Sequence, residues 1–71
     1  MRTIQAAIRR AQAAARKARD VRFVVDDSGP EYRDDRYHVA DEFDLEGFFL
    51  GCPVLAEVGP DGVVEDSIPL T

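Results

Sequence analysis

The sequence predicts an α+β fold, and three observations carry that prediction. Small apolar residues recur every three or four positions through the first nineteen residues, which is the period of a helix face. Val54 to Val58 then alternates, Gly59-Pro60-Asp61-Gly62 supplies a turn, and Val63 to Glu65 returns, which is the pattern of a β-hairpin. Between them, two short β-branched and aromatic runs flank a polar stretch, and a compact apolar run ends at Gly51 and Pro53.

The elements follow in order. Residues 3–19 form an amphipathic helix, with Ile4, Ala7, Ile8, Ala11, Ala14, Ala15 and Ala18 on one stripe and Gln5, Arg9, Gln12 and Arg16 opposite. Thr3 suits the N-cap, and Arg16, Lys17 and Arg19 suit the negative end of the helix dipole. Because the stripe is mostly alanine, each residue buries little more than a methyl group, but the backbone can approach closely whatever it packs on. Val21 to Asp26 reads as a strand, with Val21, Phe23 and Val25 on one face and Arg22 and Val24 on the other. A polar loop reaches to Asp35, and Arg36 to Ala40 is a second strand, with Tyr37 and Val39 facing in and Arg36 and His38 facing out.

A short helix follows, from Asp41 or Asp44 to Leu50. With Asp44 as its N-cap, Phe43 and Phe48 would form a hydrophobic staple, and Gly51 would supply the left-handed residue at its end. The terminal hairpin completes the order α-β-β-α-β-β. The expected architecture is a four-stranded, mainly antiparallel sheet with both helices packed on one face. At 71 residues the chain is read as one domain, comprising the basic helix 3–19, a body over 21–66 and a tail over 67–71.

The formal charge of −5 hides a division. Residues 1–22 hold seven cations against Asp20 alone, a net of +6, whereas residues 23–71 hold Arg33 and Arg36 against thirteen carboxylates, a net of −11. A basic helix is thus joined to a strongly acidic body. The helix can lie across that body and offset it, or both charges can be left for partners.

Several function classes lack their residues. The longest uncharged apolar stretch, Gly47 to Ala56, holds two glycines and a proline and is too short to cross a bilayer, which needs about 20 residues. The N-terminus has no apolar leader segment, and the one cysteine, Cys52, cannot form an intramolecular disulfide, so a reducing, cytoplasmic setting is expected. One histidine and one cysteine cannot supply a structural zinc site. The acidic run Asp26 to Asp35 fails as an EF-hand loop, because placing Gly29 at the sixth position puts Val24 at the first, where a carboxylate is required. No phosphate-cradling glycine loop is present, and Cys52 with His38 is the only thiol–imidazole pair available for nucleophilic chemistry. The expectation is a protein without cofactor, metal or enzymatic activity.

Direct nucleic-acid binding is disfavoured, because the acidic body repels a polyanion and no aromatic residue is interleaved with the arginines to stack bases. The expected interaction surface is acidic, comprising Asp26, Asp27, Glu31, Asp34, Asp35, Asp41 and Glu42, and the expected partner is a protein with a basic surface, such as one that binds nucleic acid. Small acidic inhibitors from phages and mobile elements, anti-CRISPR proteins among them, work in this way; the likeness is one of size and charge, and no motif carries it. The alternatives are a module that uses the basic helix on nucleic acid or on an acidic protein, and a homodimer formed through the alanine stripe or through Phe48 and Phe49. Not all of Phe43, Leu45, Phe48, Phe49 and Leu50 can turn inward from so short a segment, so at least one is expected to face outward.

Overall fold

A computed structural model of the chain describes residues 3–27 and 36–66. The elements are α1 (Ile4–Ala18), β1 (Arg22–Asp26), β2 (Tyr37–Ala40), α2 (Glu42–Glu46), β3 (Val54–Val58) and β4 (Val64–Asp66). The strands form one antiparallel sheet in the order β2-β1-β3-β4, so the α+β class and the expected element order both hold. The polar loop and the tail over 67–71 lie outside the described residues.

Helix α1 begins where the sequence places it. The Thr3 hydroxyl accepts a hydrogen bond from the Ala6 N–H at 3.1 Å, satisfying one of the free donors of the first turn. Its last helical residue is Ala18, because Arg19 adopts a left-handed conformation (φ 55°) and its N–H bonds back to the Ala15 carbonyl. The alanine stripe is spent on the sheet. Ala7, Ala11 and Ala15 are fully buried against Val24, Ala56 and Val58, with Ile4, Ile8, Tyr37, Val39 and Val64 packed around them. The stripe is therefore not available as a dimer seam. At the far end of the sheet, the Gln12 amide donates to the Gly62 carbonyl at 3.0 Å, and the Arg16 guanidinium lies directly against Gly62. Gly62 takes the positive φ of 87° that the turn requires.

The second helix departs from the sequence reading. Strand β1 alternates, so Val24 faces α1 whereas Val25 faces the other side, where it is buried with Ala40 and Phe49 beside Leu45, Cys52 and Val54. A bulge lets one strand serve both clusters: Val24 pairs with Ala56 and Val25 with Val54, leaving Leu55 between them unpaired. Both helices on one face is thus replaced by α1 on one face and the α2 segment on the other. The reason is topological. Strands β2 and β3 both flank β1, so the chain between them must cross over β1, and the face already covered by α1 leaves only the opposite one.

His38 is corrected with it. The residue does point away from α1, but that side is a second packed layer rather than solvent, and its ring stacks on Phe49 with centroids 5.4 Å apart. No helix among the described residues is long and apolar enough to cross a membrane.

Candidate protein-binding surface

The α2 segment is built by its own carboxylates. The Asp41 side chain accepts from the Asp44 N–H at 2.8 Å, and the Asp44 side chain accepts from the Asp41 N–H at 3.4 Å, closing a reciprocal capping box. Asp41, not Asp44, is therefore the N-cap. Glu42 and Asp44 also place negative charge in the first turn, where the helix dipole favours it. The helix stops at Glu46 rather than reaching Leu50, and a further wound turn follows. In that turn the Phe49 N–H donates to the Asp44 carbonyl at 2.7 Å, and the Cys52 N–H donates to the Phe49 carbonyl at 3.0 Å. Gly51 adopts the left-handed conformation expected of it (φ 87°).

This winding sorts the apolar side chains. Phe49 turns into the second cluster and is 8% exposed, whereas Phe43, Phe48 and Leu50 are 84%, 83% and 73% exposed. Two such exposed phenylalanines do not make the expected staple. Phe48 packs edge-on against Phe49, with centroids 4.8 Å apart and ring planes at 81°. One face of the molecule thus presents an apolar patch resting on a buried aromatic ring. Large exposed apolar side chains concentrated on one short segment are a common mark of a surface that another molecule covers.

The segment that carries the patch is acidic. Glu42 and Glu46 are exposed on α2 itself. On the same side of the sheet, Glu57 of β3 lies directly across from Glu65 of β4, two like charges in register. Beside them a half-open hollow of about 280 Å³ runs between Val21, Glu57, Pro60, Val63 and Glu65. Neither Glu57 nor Glu65 belongs to the set predicted from sequence. Their alignment follows from the hairpin register, which the Gly59 to Gly62 turn fixes and which could have been read from the sequence.

The predicted acidic residues fall into three groups. Asp26 is held by Arg36 in a two-pronged pair, Nε to Oδ1 at 3.1 Å and Nη2 to Oδ2 at 2.6 Å, and Arg36 also lies over the Tyr37 ring at 5.2 Å. Asp27 lies beside the Cys52 thiol, which donates to its Oδ1 at 3.9 Å, and Asp41 caps α2, so these three serve the fold first. Glu42 is exposed on the patch rim. Glu31, Asp34 and Asp35 lie outside the described residues.

Cys52 packs with the second cluster, as its place between a turn and a strand suggests. Desolvation, followed by the charges of Asp27 and Asp26, pushes its thiol above the usual cysteine range. Replacing Asp27 by asparagine removes one of the causes that raise it, so the thiolate fraction at mildly alkaline pH should rise. The expected result is faster alkylation of Asp27→Asn than of the parent by iodoacetamide at pH 8, read by mass spectrometry. Equal rates would show that the carboxylate does not govern the thiol. Among the described residues no group of three or more His, Cys, Asp or Glu side chains is arranged to hold a metal ion.

On the opposite face, Arg9, Arg10, Arg16, Lys17 and Arg19 are exposed along α1. Among the described residues none of them makes an ion pair with a carboxylate. The basic helix therefore does not lie across the described acidic groups; the sheet stands between them. Among the described residues, the exposed cations of α1 and the carboxylates Glu42, Glu46, Glu57 and Glu65 lie on opposite sides of the sheet.

Comparison with known proteins adds no relative: no protein-family model, no curated protein and no solved structure matches the chain.

Proposed function

We propose that this is a non-enzymatic binding protein, regulatory or inhibitory in action, that engages a basic protein partner through the acidic face carrying α2. The observation that carries this reading is the exposure of Phe43, Phe48 and Leu50 on one short segment. Covering a phenylalanine side chain is worth about 1.5–3 kcal/mol, and aromatic residues in a well-packed patch are the usual energetic centre of an interface. Glu42 and Glu46 frame the patch, so a fitting partner offers an apolar groove bordered by lysine or arginine. Apolar contacts would then supply the affinity, while the charges would steer encounter and select the partner. Glu57 and Glu65 extend the same negative field. Such a surface can occupy a groove that otherwise receives a polyanion, which is the inhibitory mode expected from the composition.

The test is affinity capture from the native host with three baits: the parent chain, Phe43→Ser/Phe48→Ser, and Glu42→Lys/Glu46→Lys. The expected result is one basic protein retained by the parent and lost by both variants, with circular dichroism unchanged because all four side chains are exposed. A partner retained equally by both variants would rule this face out.

A further inference from the structure

The fold leaves two oppositely charged faces on one molecule, and nothing described within the chain brings them together. We infer that the cationic outer face of α1 docks on the acidic α2 face of a second copy of this chain. Three observations carry this. Arg9, Arg10, Arg16, Lys17 and Arg19 are exposed on α1 and make no ion pair among the described residues. The other face offers Glu42 and Glu46 on the same short segment as exposed Phe43 and Phe48. The long stems of arginine and lysine lie readily along such aromatic rings while their heads reach the carboxylates, and an arginine guanidinium over a ring adds a cation–π attraction. A second copy is favoured over a nucleic acid as occupant, since a polyanion on α1 would sit beside a body of net charge −11 with no interleaved aromatic residue to stack on.

The geometry also sets the form of the assembly. The two faces lie on opposite sides of one sheet, Val24 pointing to α1 and Val25 to the α2 side. One copy cannot present both to the same partner, so a symmetric dimer with two reciprocal contacts is excluded. The contact is head-to-tail. Each addition leaves one free basic face and one free acidic face, so growth continues past two copies unless a ring closes. Each copy is −5 overall, so the attraction is local and acts over about a Debye length, roughly 10 Å at 0.1 M salt. This contact uses the face assigned above to the partner but needs no partner, so the two readings fail separately. A chain monomeric on its own can still bind a basic protein, and a self-associating chain can lack one.

The experiment is sedimentation equilibrium of the pure protein over a wide concentration range, at about 0.05 M and about 0.5 M salt, conditions that bracket strong and weak screening. The expected result at low salt is a weight-average mass that climbs from 7.9 kDa past twice that value with concentration, and a return toward 7.9 kDa at high salt. Two variants locate the contact. Arg9→Gln/Arg10→Gln/Lys17→Gln removes the basic face, and Glu42→Gln/Glu46→Gln removes the acidic one; each alone should stay monomeric. Mixed, they keep one functional face of each kind, so they should form a one-to-one complex that grows no further. A parent monomeric throughout, variants that associate as the parent does, or a mixture that stays monomeric would each overturn the inference. So would a monomeric parent that binds labelled DNA through Arg9 and Arg10, which would assign the cations to nucleic acid.

Discussion

Ala11→Asp is expected to leave the chain largely unfolded at room temperature. Ala11 is fully buried at the middle of the helix–sheet interface, between Ala7 and Ala15, where each side chain is a single methyl group and the helix backbone lies close to Val24, Ala56 and Val58. A carboxylate there has no cation within the cluster to pair with, and an unpaired buried charge costs several kcal/mol. The larger side chain must in addition push α1 off the sheet, and overpacking costs about 1–3 kcal/mol. The total stability of a chain of this length is only about 4–10 kcal/mol at roughly 0.05–0.15 kcal/mol per residue. The two costs together consume most of that margin. Far-ultraviolet circular dichroism and a urea titration check the result, with Ala13→Asp as control. Ala13 is exposed on the same helix, so the control carries the same charge and the same loss of helix propensity, up to about 0.7 kcal/mol, without the burial. A folded Ala11→Asp, or an equally unfolded Ala13→Asp, would contradict the packing described for α1.

Phe49→Ala is expected to cost about 3 kcal/mol, the low end of the range for removing a buried phenylalanine, because the site is at the rim of a small second cluster. In a domain of this size, each kcal/mol shifts the melting temperature by about 4–8 °C, so a fall of about 12–24 °C should follow. The effect is not only on stability. Phe49 is the side chain through which the wound turn after α2 reaches Val25 and Ala40, the ring on which His38 stacks, and the surface against which Phe48 sets its edge. Without it the α2 segment keeps its capping box but loses its main hold on the sheet. The His38 ring should then lose the upfield shift that stacking gives its proton resonances, which is visible by nuclear magnetic resonance at temperatures where the variant remains folded. Phe48→Ala is the comparison. Phe48 is 83% exposed, so its loss should change stability by no more than about 0.5 kcal/mol, while removing half of the aromatic patch. If the two variants melt alike, Phe49 is not the anchor.

Much of the fold was legible because local signals agreed with the tertiary arrangement. The alanine and isoleucine stripe, the Thr3 cap and the turn from Gly59 to Gly62 each depend on residues a few positions apart, and each stands where the sequence puts it. The start of the second helix stayed open between Asp41 and Asp44, both good caps, because the sequence alone does not reveal that they cap reciprocally with Asp41 outermost; its end was read too late, at Leu50 instead of Glu46. The expected inward face of the second strand was correct for Tyr37 and Val39, but His38 could be assigned to solvent only while the other side of the sheet was taken to be bare.

The candidate surface was legible in its charge and less so in its composition. The excess of carboxylates after residue 22 is a fact of sequence, yet Asp26 and Asp27 prove to be engaged by Arg36 and Cys52, while Glu57 and Glu65 are brought into line across the hairpin. That at least one of five apolar residues must face outward followed from counting. That Phe43, Phe48 and Leu50 do so and Phe49 does not follows from the turn after Glu46.

The sequence by itself determined the class of fold, the order of its elements and the division of charge between the first helix and the rest. These depend on periodicity, on turn chemistry and on simple sums over residues. Only the tertiary structure decided that, among the described residues, the cations of α1 and the carboxylates of α2 are held on opposite sides of the sheet. The crossover from β2 to β3 must pass over β1, and with α1 occupying one side, the chain takes the acidic α2 segment to the other.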